Sequence, residues 1–368
     1  MITRINSYRN YILILISVLT GFIALNNINQ NKQLIKIEKN NKNMSTQRSI
    51  LKTFIPQFRS EGVGAEVIRS IGVSEMRKFS PFVLLDHFFV KAPAGFEQHP
   101  HHGQETITLL LDNYVAHEDF TGSKGILRPG DLQFMTAGKG VVHSEIPVKM
   151  TTNDRPAQGM QLWVALPEKL VNCEPRYRDL RSEEIPVVKP FGNDDLVVKI
   201  VSGESYGVKS VQDLAYTPVN YYQFNSHKKD IPFKQFVDKS MNCFIYVKEG
   251  SIKINNKEYP KSSAIFFKPD GDLIEGVIAS NEFTEFFIIA GEILDQEIVQ
   301  YGPFIDTSEE NIYKTFKNYQ LAQNGFENVR TWKPVIDKGV GEDLAKEWLA
   351  KDGLEFTPHK ENIKQKEL

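Results

Sequence analysis

"LRPGDLQFMTAGKG", Leu127–Gly140, and "YPKSSAIFFKPDGD", Tyr259–Asp272, carry one pattern twice. In each, a polar turn leads into a short strand-like run, and a glycine-bearing loop follows. Upstream of each lies a pair of short runs joined by a tight polar turn. The clearest pair is "GSIKINNKEYP", where Asn255-Asn256 stand at the two positions of a hairpin turn. Similar runs recur from Phe54 to about Gly291: Thr106–Leu111, Leu132–Thr136, Gln161–Leu166, Leu196–Gly203, Cys243–Ile254, Ser263–Lys268 and Phe286–Glu292. Runs this short, separated by Gly, Pro, Asn and Asp, read as a β-sandwich or barrel rather than as alternating βαβ units. The chain is therefore predicted to be all-β, built from two copies of one unit joined through Leu166–Pro186.

A length of 368 residues allows two domains and a well-buried core. Hydrophobic residues at 41% and charged residues at 24% are globular proportions. A net charge of −2 supplies no bulk attraction to nucleic acid, so direct nucleic-acid binding is not expected. Cys173 and Cys243 form no CxxC pair and fit free thiols in a reducing compartment, although a single bridge between them stays open at this level.

The first 43 residues differ from the rest. Arg4 and Arg9 precede "YILILISVLTGFIAL", Tyr11–Leu25, which is short for a membrane span and near the length of a signal-peptide core. An Asn/Lys tract follows with the composition of a spacer, and Met44 then opens "MSTQRSILKTF" like the start of a soluble domain. Three readings compete: a signal anchor, a cleaved signal, or an upstream extension on a cytosolic protein. Membrane contact is expected only through residues 11–25. The division that results is 1–43 for this segment, 44–185 and 186–335 for the two β-units, and 336–368 for a polar tail. One helix closes the second unit. Thr307 and Glu310 have capping-box spacing, Ile312, Phe316 and Tyr319 share a face, and Gly325 is placed to end it.

Chemistry concentrates in "FEQHPHHGQETITLLLD", Phe96–Asp112. On a strand, residues i and i+2 share a side, so His99 and His101 can meet one ion while His102 points away. "GVVHSEIP" repeats the spacing with His143 and Glu145. Three imidazoles and a carboxylate suit Fe(II), and also Mn, Ni, Cu or Zn. Four protein ligands on a six-coordinate ion leave two positions for reactants. A hydrogen-bonded polar patch without metal is the competing reading. Glu105 faces the same side as His101 and competes with Glu145 for the carboxylate role, or lies behind the site. His87 and His117 are expected to be satisfied polar residues near the site, and His227 and His359 surface residues. The second unit has no HxH, so it is expected to bind no metal.

"GVGAEVIRSIG", "PFVLLDHF", "HPHHGQETIT", "AHEDFTG", "PGDLQFMTAGKGVVHSEIP", "QLWVALP", "EPRYRDL" and "VQYGPFI" resemble the pirin family, bicupins of the cupin superfamily. The resemblance runs from about Leu51 to Trp332. It implies two tandem cupin-type β-barrels with a short C-terminal helix, the first barrel holding one Fe(2+). The ligands it implies are His99, His101, His143 and Glu145, which favours Glu145 over Glu105. The chain departs from the family at His102 and Gln104, where Arg and an aromatic are common, and at Phe134, where Trp is frequent.

The resemblance implies two roles. One is quercetin 2,3-dioxygenase activity on a small aromatic substrate of flavonol type, with Glu145 as the base that takes the 3-hydroxyl proton. The other is an iron- and redox-sensing coregulator that contacts a transcription-factor partner without turnover. A structural cupin with an incidental metal is a third reading. A monomer is expected, cytoplasmic or nuclear if the chain starts functionally at Met44, and membrane-anchored or secretory if residues 1–25 act as a signal.

Overall fold

The computed structural model describes residues 45–62, 64–152, 154–211 and 215–357. The first half is built of two sheets. A seven-stranded antiparallel sheet runs in the order Arg176–Leu180, Leu132–Thr136, Gln104–Asp112, Ala157–Ala165, Phe82–Val90, Ala65–Ile71 and Phe58–Ser60. Facing it, Val141–Lys149 pairs with Val115–Asp119 on one side and with Phe96–His101 and Val340–Gly341 on the other, and Lys124–Leu127 follows Val115–Asp119.

The second half repeats the plan. Its larger sheet runs Ile50–Phe54, Ala264–Phe267, Met241–Glu249, Thr284–Glu292, Val219–Ser226, Val197–Ser202 and Val187–Val188. Its smaller sheet runs Pro232–Phe236, Leu273–Ile278, Ser251–Ile254 and Lys257–Pro260. Asn255 and Asn256 both take positive φ, 49° and 63°, as a two-residue hairpin turn of this hand requires. The fold is thus mostly β, with two cupin-type halves. Each half is a pair of facing sheets, and among the described residues no sheet closes into a ring.

The two large sheets pack against one another. Phe82, Leu85, Ile107, Met160 and Leu162 from the first half meet Tyr221, Phe244, Phe266, Phe287 and Ile289 from the second. Phe82–Val90 is buried almost throughout, one face against the second half and the other toward the space between the first half's own sheets. The space between the second half's own sheets is filled by apolar side chains such as Ile200, Tyr222, Phe224, Ile245, Phe267 and Phe286. In the first half, only one end is filled, by Val67, Phe88, Leu110, Val115 and Leu127. The other end is open.

Three segments cross the expected 185/186 division. Ile50–Phe54 does not join the first half but completes the edge of the second half's large sheet, beside Ala264–Phe267. It is anchored by Arg48, fully buried, which donates to the carbonyls of Gly271, Met241 and Asp238. The helix at Glu309–Leu321 packs in the opposite direction, with Ile312 against Val141, Val142 and Met135. Its cap is Ser308, whose hydroxyl accepts from the Asn311 amide at 3.2 Å, one residue later than expected. Phe316 is exposed rather than on the packed face.

The 336–368 segment is also more than a polar tail. Val340–Gly341 adds a parallel strand to Val141–Lys149, and Glu342–Lys351 is a helix whose Trp348 and Leu349 are buried against Ile146 and Val148. Its outward face supplies the polar composition; its three buried apolar side chains, Ala345, Trp348 and Leu349, were too few to dominate the sequence pattern. Both cysteines are free. No helix among the described residues is long and apolar enough to cross a membrane; residues 11–25 and His359 lie outside them.

Candidate metal centre

The open end of the first half is where the histidines meet. Phe96–His101 and Val141–Lys149 pair antiparallel with His99 opposite His143, and the pairing shifts between His143 and Glu145. On the other side of Val141–Lys149, Asp119 lies opposite His143 and His117 opposite Glu145. Strand parity therefore points His99, His101 and His143 into the space between the sheets, and their ligand nitrogens all lie within 4.8 Å of one another. The Nε2 atoms of His99 and His143 are 2.9 Å apart. Two ligands at about 2.1 Å from one ion and at right angles would stand about 3 Å apart.

The residues fit a metal on two further observations. His99 Nδ1 donates to the Glu97 carbonyl at 2.8 Å, which leaves Nε2 as the lone-pair nitrogen facing its neighbours. His101 Nε2 is buried and has no hydrogen-bond partner among the described residues, a costly state for a polar atom unless something coordinates it. Burial holds His101 and His143 well below the ordinary imidazole value, and the neighbouring histidines add to it. His99 is lowered as well, burial outweighing its bond to the Glu97 carbonyl. All three rings are therefore neutral at pH 7 and available as ligands.

Glu145 stands at the edge of the triad, with its Oε2 3.9 Å from His143 Nε2. Burial pushes its carboxyl up to about 7, against the pull of His117 and of Gln161. Gln161 donates to Glu145 Oε2 at 3.4 Å and accepts from Thr108 at 2.7 Å. Glu105 is not at the site. Its carboxylate accepts from the Thr136 hydroxyl and from the Tyr216 and Thr217 amides, so it lies behind the triad and ties the first half to the start of the second.

Of the other described histidines, His87 is the one that departs from the expectation. His117 is near the site: its ring stacks on Tyr177, and Nε2 is 3.0 Å from Asp179. Burial works to lower its pKa, but Asp179 prevails and raises it. His87 is not near the site. It sits on the opposite face of its sheet, in the core between the halves, 3.0 Å from the Tyr246 hydroxyl. His102 points away from the triad, as parity demands, yet it is buried rather than solvated. Its Nδ1 faces the Lys139 carbonyl at 3.1 Å and its Nε2 the Asp306 carboxylate at 3.2 Å. Phe134 likewise faces the core between the halves, so that departure from the family pattern does not shape the site. His227 is exposed, as expected.

Sequence reasoning passed over Tyr177, Asp119, Gln161 and Trp163. The Tyr177 hydroxyl is 3.4 Å from His143 Nδ1 and is bonded to Asp119, an outer pair that orients the ligand. Trp163 packs edge-on to His101, with ring centroids 5.0 Å apart. Parity from His117 placed Asp119 on the site's side; nothing local marked Tyr177, which arrives from a strand of the other sheet. Beside the triad opens a cavity of about 1010 Å³, whose lining includes Leu84, Phe88, Phe96, Val115 and Trp163 and, from the site, His99, Glu145 and Gln161. A cavity of this size, with aromatic and aliphatic walls and a few polar groups, suits a drug-sized molecule.

Known proteins share this architecture. The family model described as Pirin matches residues 64–164, and that described as Pirin C-terminal cupin domain matches residues 222–325. Pirin of Homo sapiens is 38% identical over 304 residues, 80% of this chain and 99% of that protein. A quercetin 2,3-dioxygenase from Acinetobacter baumannii superposes with a TM-score of 0.68 at 24% identity, covering 75% of this chain and 98% of its own. The bacterial pirin YhhW of Escherichia coli, solved in complex with nickel(II), gives 0.52 at 19% identity, covering 66% of this chain and 100% of its own. At these identities the two structures share the fold.

Proposed function

The chain belongs to the pirin family, and from that premise we propose that it is an Fe(2+)-dependent dioxygenase of the quercetin 2,3-dioxygenase type, opening the ring of a flavonol with O₂. One observation carries the reading: three convergent, neutral imidazoles meet beside a cavity large enough for a flavonol, and His99 and Glu145 line it. His99, His101 and His143, with Glu145 beside them, would hold the ion. When bound, Fe(2+) supplies Lewis acidity toward the substrate's hydroxyl and a redox partner for O₂.

The remaining work falls to the chain's own groups. Glu145, whose carboxylate stands beside His143 at the inner face of the site, is the base that takes the proton of the substrate's 3-hydroxyl. Gln161, fixed by Thr108, keeps that carboxylate oriented. Leu84, Phe88 and Trp163 receive the faces of the flat rings and keep water from the reacting carbons. A second reading, metal sensing without turnover through a transcription-factor partner, draws on one contact. Ser144, between His143 and Glu145, donates to Asp337 at 2.6 Å, which links the ligand strand to the surface segment that follows the helix.

Anaerobic reconstitution with Fe(2+), followed by quercetin and O₂, separates the two. Release of carbon monoxide with loss of the flavonol absorbance is expected. Iron bound in the site with no carbon monoxide would sink the enzyme reading for this substrate and leave the sensing one.

A further inference from the structure

The cavity floor carries a row of polar side chains, of which the metal site draws only on the Gln161–Thr108 end. Thr108, Gln161, Asp86 and Arg69 lie opposite one another on four adjacent strands: Thr108 pairs with Gln161, Gln161 with Asp86, and Asp86 with Arg69. All four line the cavity. The Gln161 end touches Glu145 and hence the metal centre. The Arg69 end is two strand spacings away, roughly 10 Å. Leu84 and Trp163 flank the row on one side and Phe88 on the other, so a flat ring can lie along it.

At the far end, Arg69 is locked in place. Its Nε and Nη2 donate to the two Asp86 oxygens at 2.8 and 2.7 Å, and Nη2 also meets Glu61 at 3.1 Å. Its Nη1 has no partner among the described residues, and the Glu61 carboxylate remains 40% exposed beside it. A guanidinium this strongly held is an expensive structure to place in a cavity wall unless the spare donor meets something. Donor and acceptor side by side match a phenolic hydroxyl, which accepts from Nη1 and donates to Glu61.

We propose that Arg69, positioned by Asp86, is the specificity-determining residue of this cavity, reading hydroxyl groups on the end of an aromatic substrate remote from the metal. The proposal rests on the flavonol reading above and narrows it: the preferred substrate carries hydroxyls on its outer ring. A hydrogen bond to a charged group at this position is worth roughly a ten- to hundredfold preference.

The test is equilibrium binding, by calorimetry, to the metal-loaded full chain without O₂. The two probes are quercetin, with two outer-ring hydroxyls, and 3,5,7-trihydroxyflavone, with none. Wild type should bind quercetin at least tenfold tighter. Replacing both members of the pair, Arg69→Gln with Asp86→Asn, should bring the ratio close to one. Arg69→Lys, which keeps the charge against Asp86 and protects the fold, should lose most of the ratio. A wild-type ratio near one, or a ratio unchanged in either folded variant, overturns the subsite. Binding of neither flavonol would overturn the substrate reading together with it. Ring opening of both with equal efficiency would leave the enzyme reading intact and sink the subsite alone.

Discussion

At the scale of single residues, the charge state of Glu145 sets how the site answers to pH. The imidazoles carry no protons to lose near neutrality, so metal uptake must displace the one on Glu145. Fe(2+) or Zn(2+) addition should release close to one proton per ion at pH 6 and almost none at pH 8.5, measured in weakly buffered solution, with Glu145→Gln releasing none at either. In the metal-free chain the sign follows from the same group. Its folded value of about 7 lies above the ordinary 4.5, so its contribution to stability is complete below pH 4.5 and is lost as pH rises through 7. That amounts to roughly 3 kcal/mol, and the difference in melting between wild type and Glu145→Gln should grow across this window. His102 supplies a second test. Removing it leaves Asp306 Oδ2 without its hydrogen bond while Oδ1 keeps the Thr307 amide and Asn311, so His102→Ala should cost about 1–3 kcal/mol in urea unfolding.

Elements explain why the site is stable enough to hold its geometry. The ligand strand Val141–Lys149 is paired along both edges, by Phe96–His101 and Val115–Asp119 at the triad and by Val340–Gly341 farther on. The helix at Glu342–Lys351 then covers the outer side of that sheet with Ala345, Trp348 and Leu349. Trp348→Ala should remove about 3 kcal/mol or more of stability, since the ring is nearly fully buried. Metal affinity measured below the melting transition should fall by much less than stability does, because the helix contacts none of the ligands. The repeated hairpin pattern was legible because alternation and turn residues are local properties. This helix was not, because only its packed face is apolar.

For the whole molecule, duplication has had unequal results. Both halves have the same pair of facing sheets, but the second is filled with aromatic and aliphatic side chains where the first is hollow. Metal analysis of the reconstituted chain should accordingly give one ion, not two, and substitution of His99 and His143 together should reduce it to zero. The halves are also interlocked. The strand Ile50–Phe54 belongs to the second half's sheet, and the segments after Phe304 belong to the first half's surface. A single cooperative transition is therefore expected in calorimetric unfolding, with neither half folding when expressed alone.

The sequence by itself determined the β class, the duplication, the His99–His101 and His143–Glu145 pairs and the poverty of the second half in ligands. Each of these follows from spacing of two along a strand or from composition, and neither needs distant contacts. Tertiary structure alone decided that His102 would be a buried partner of Asp306 and that Glu105 would serve the second half's backbone. It also decided that Tyr177 would stand behind His143 and that Arg69 and Asp86 would share a cavity with the triad. Those pairings join residues from strands far apart in sequence. Which strand lies beside which is set by burying two sheets against each other, and no local pattern records it.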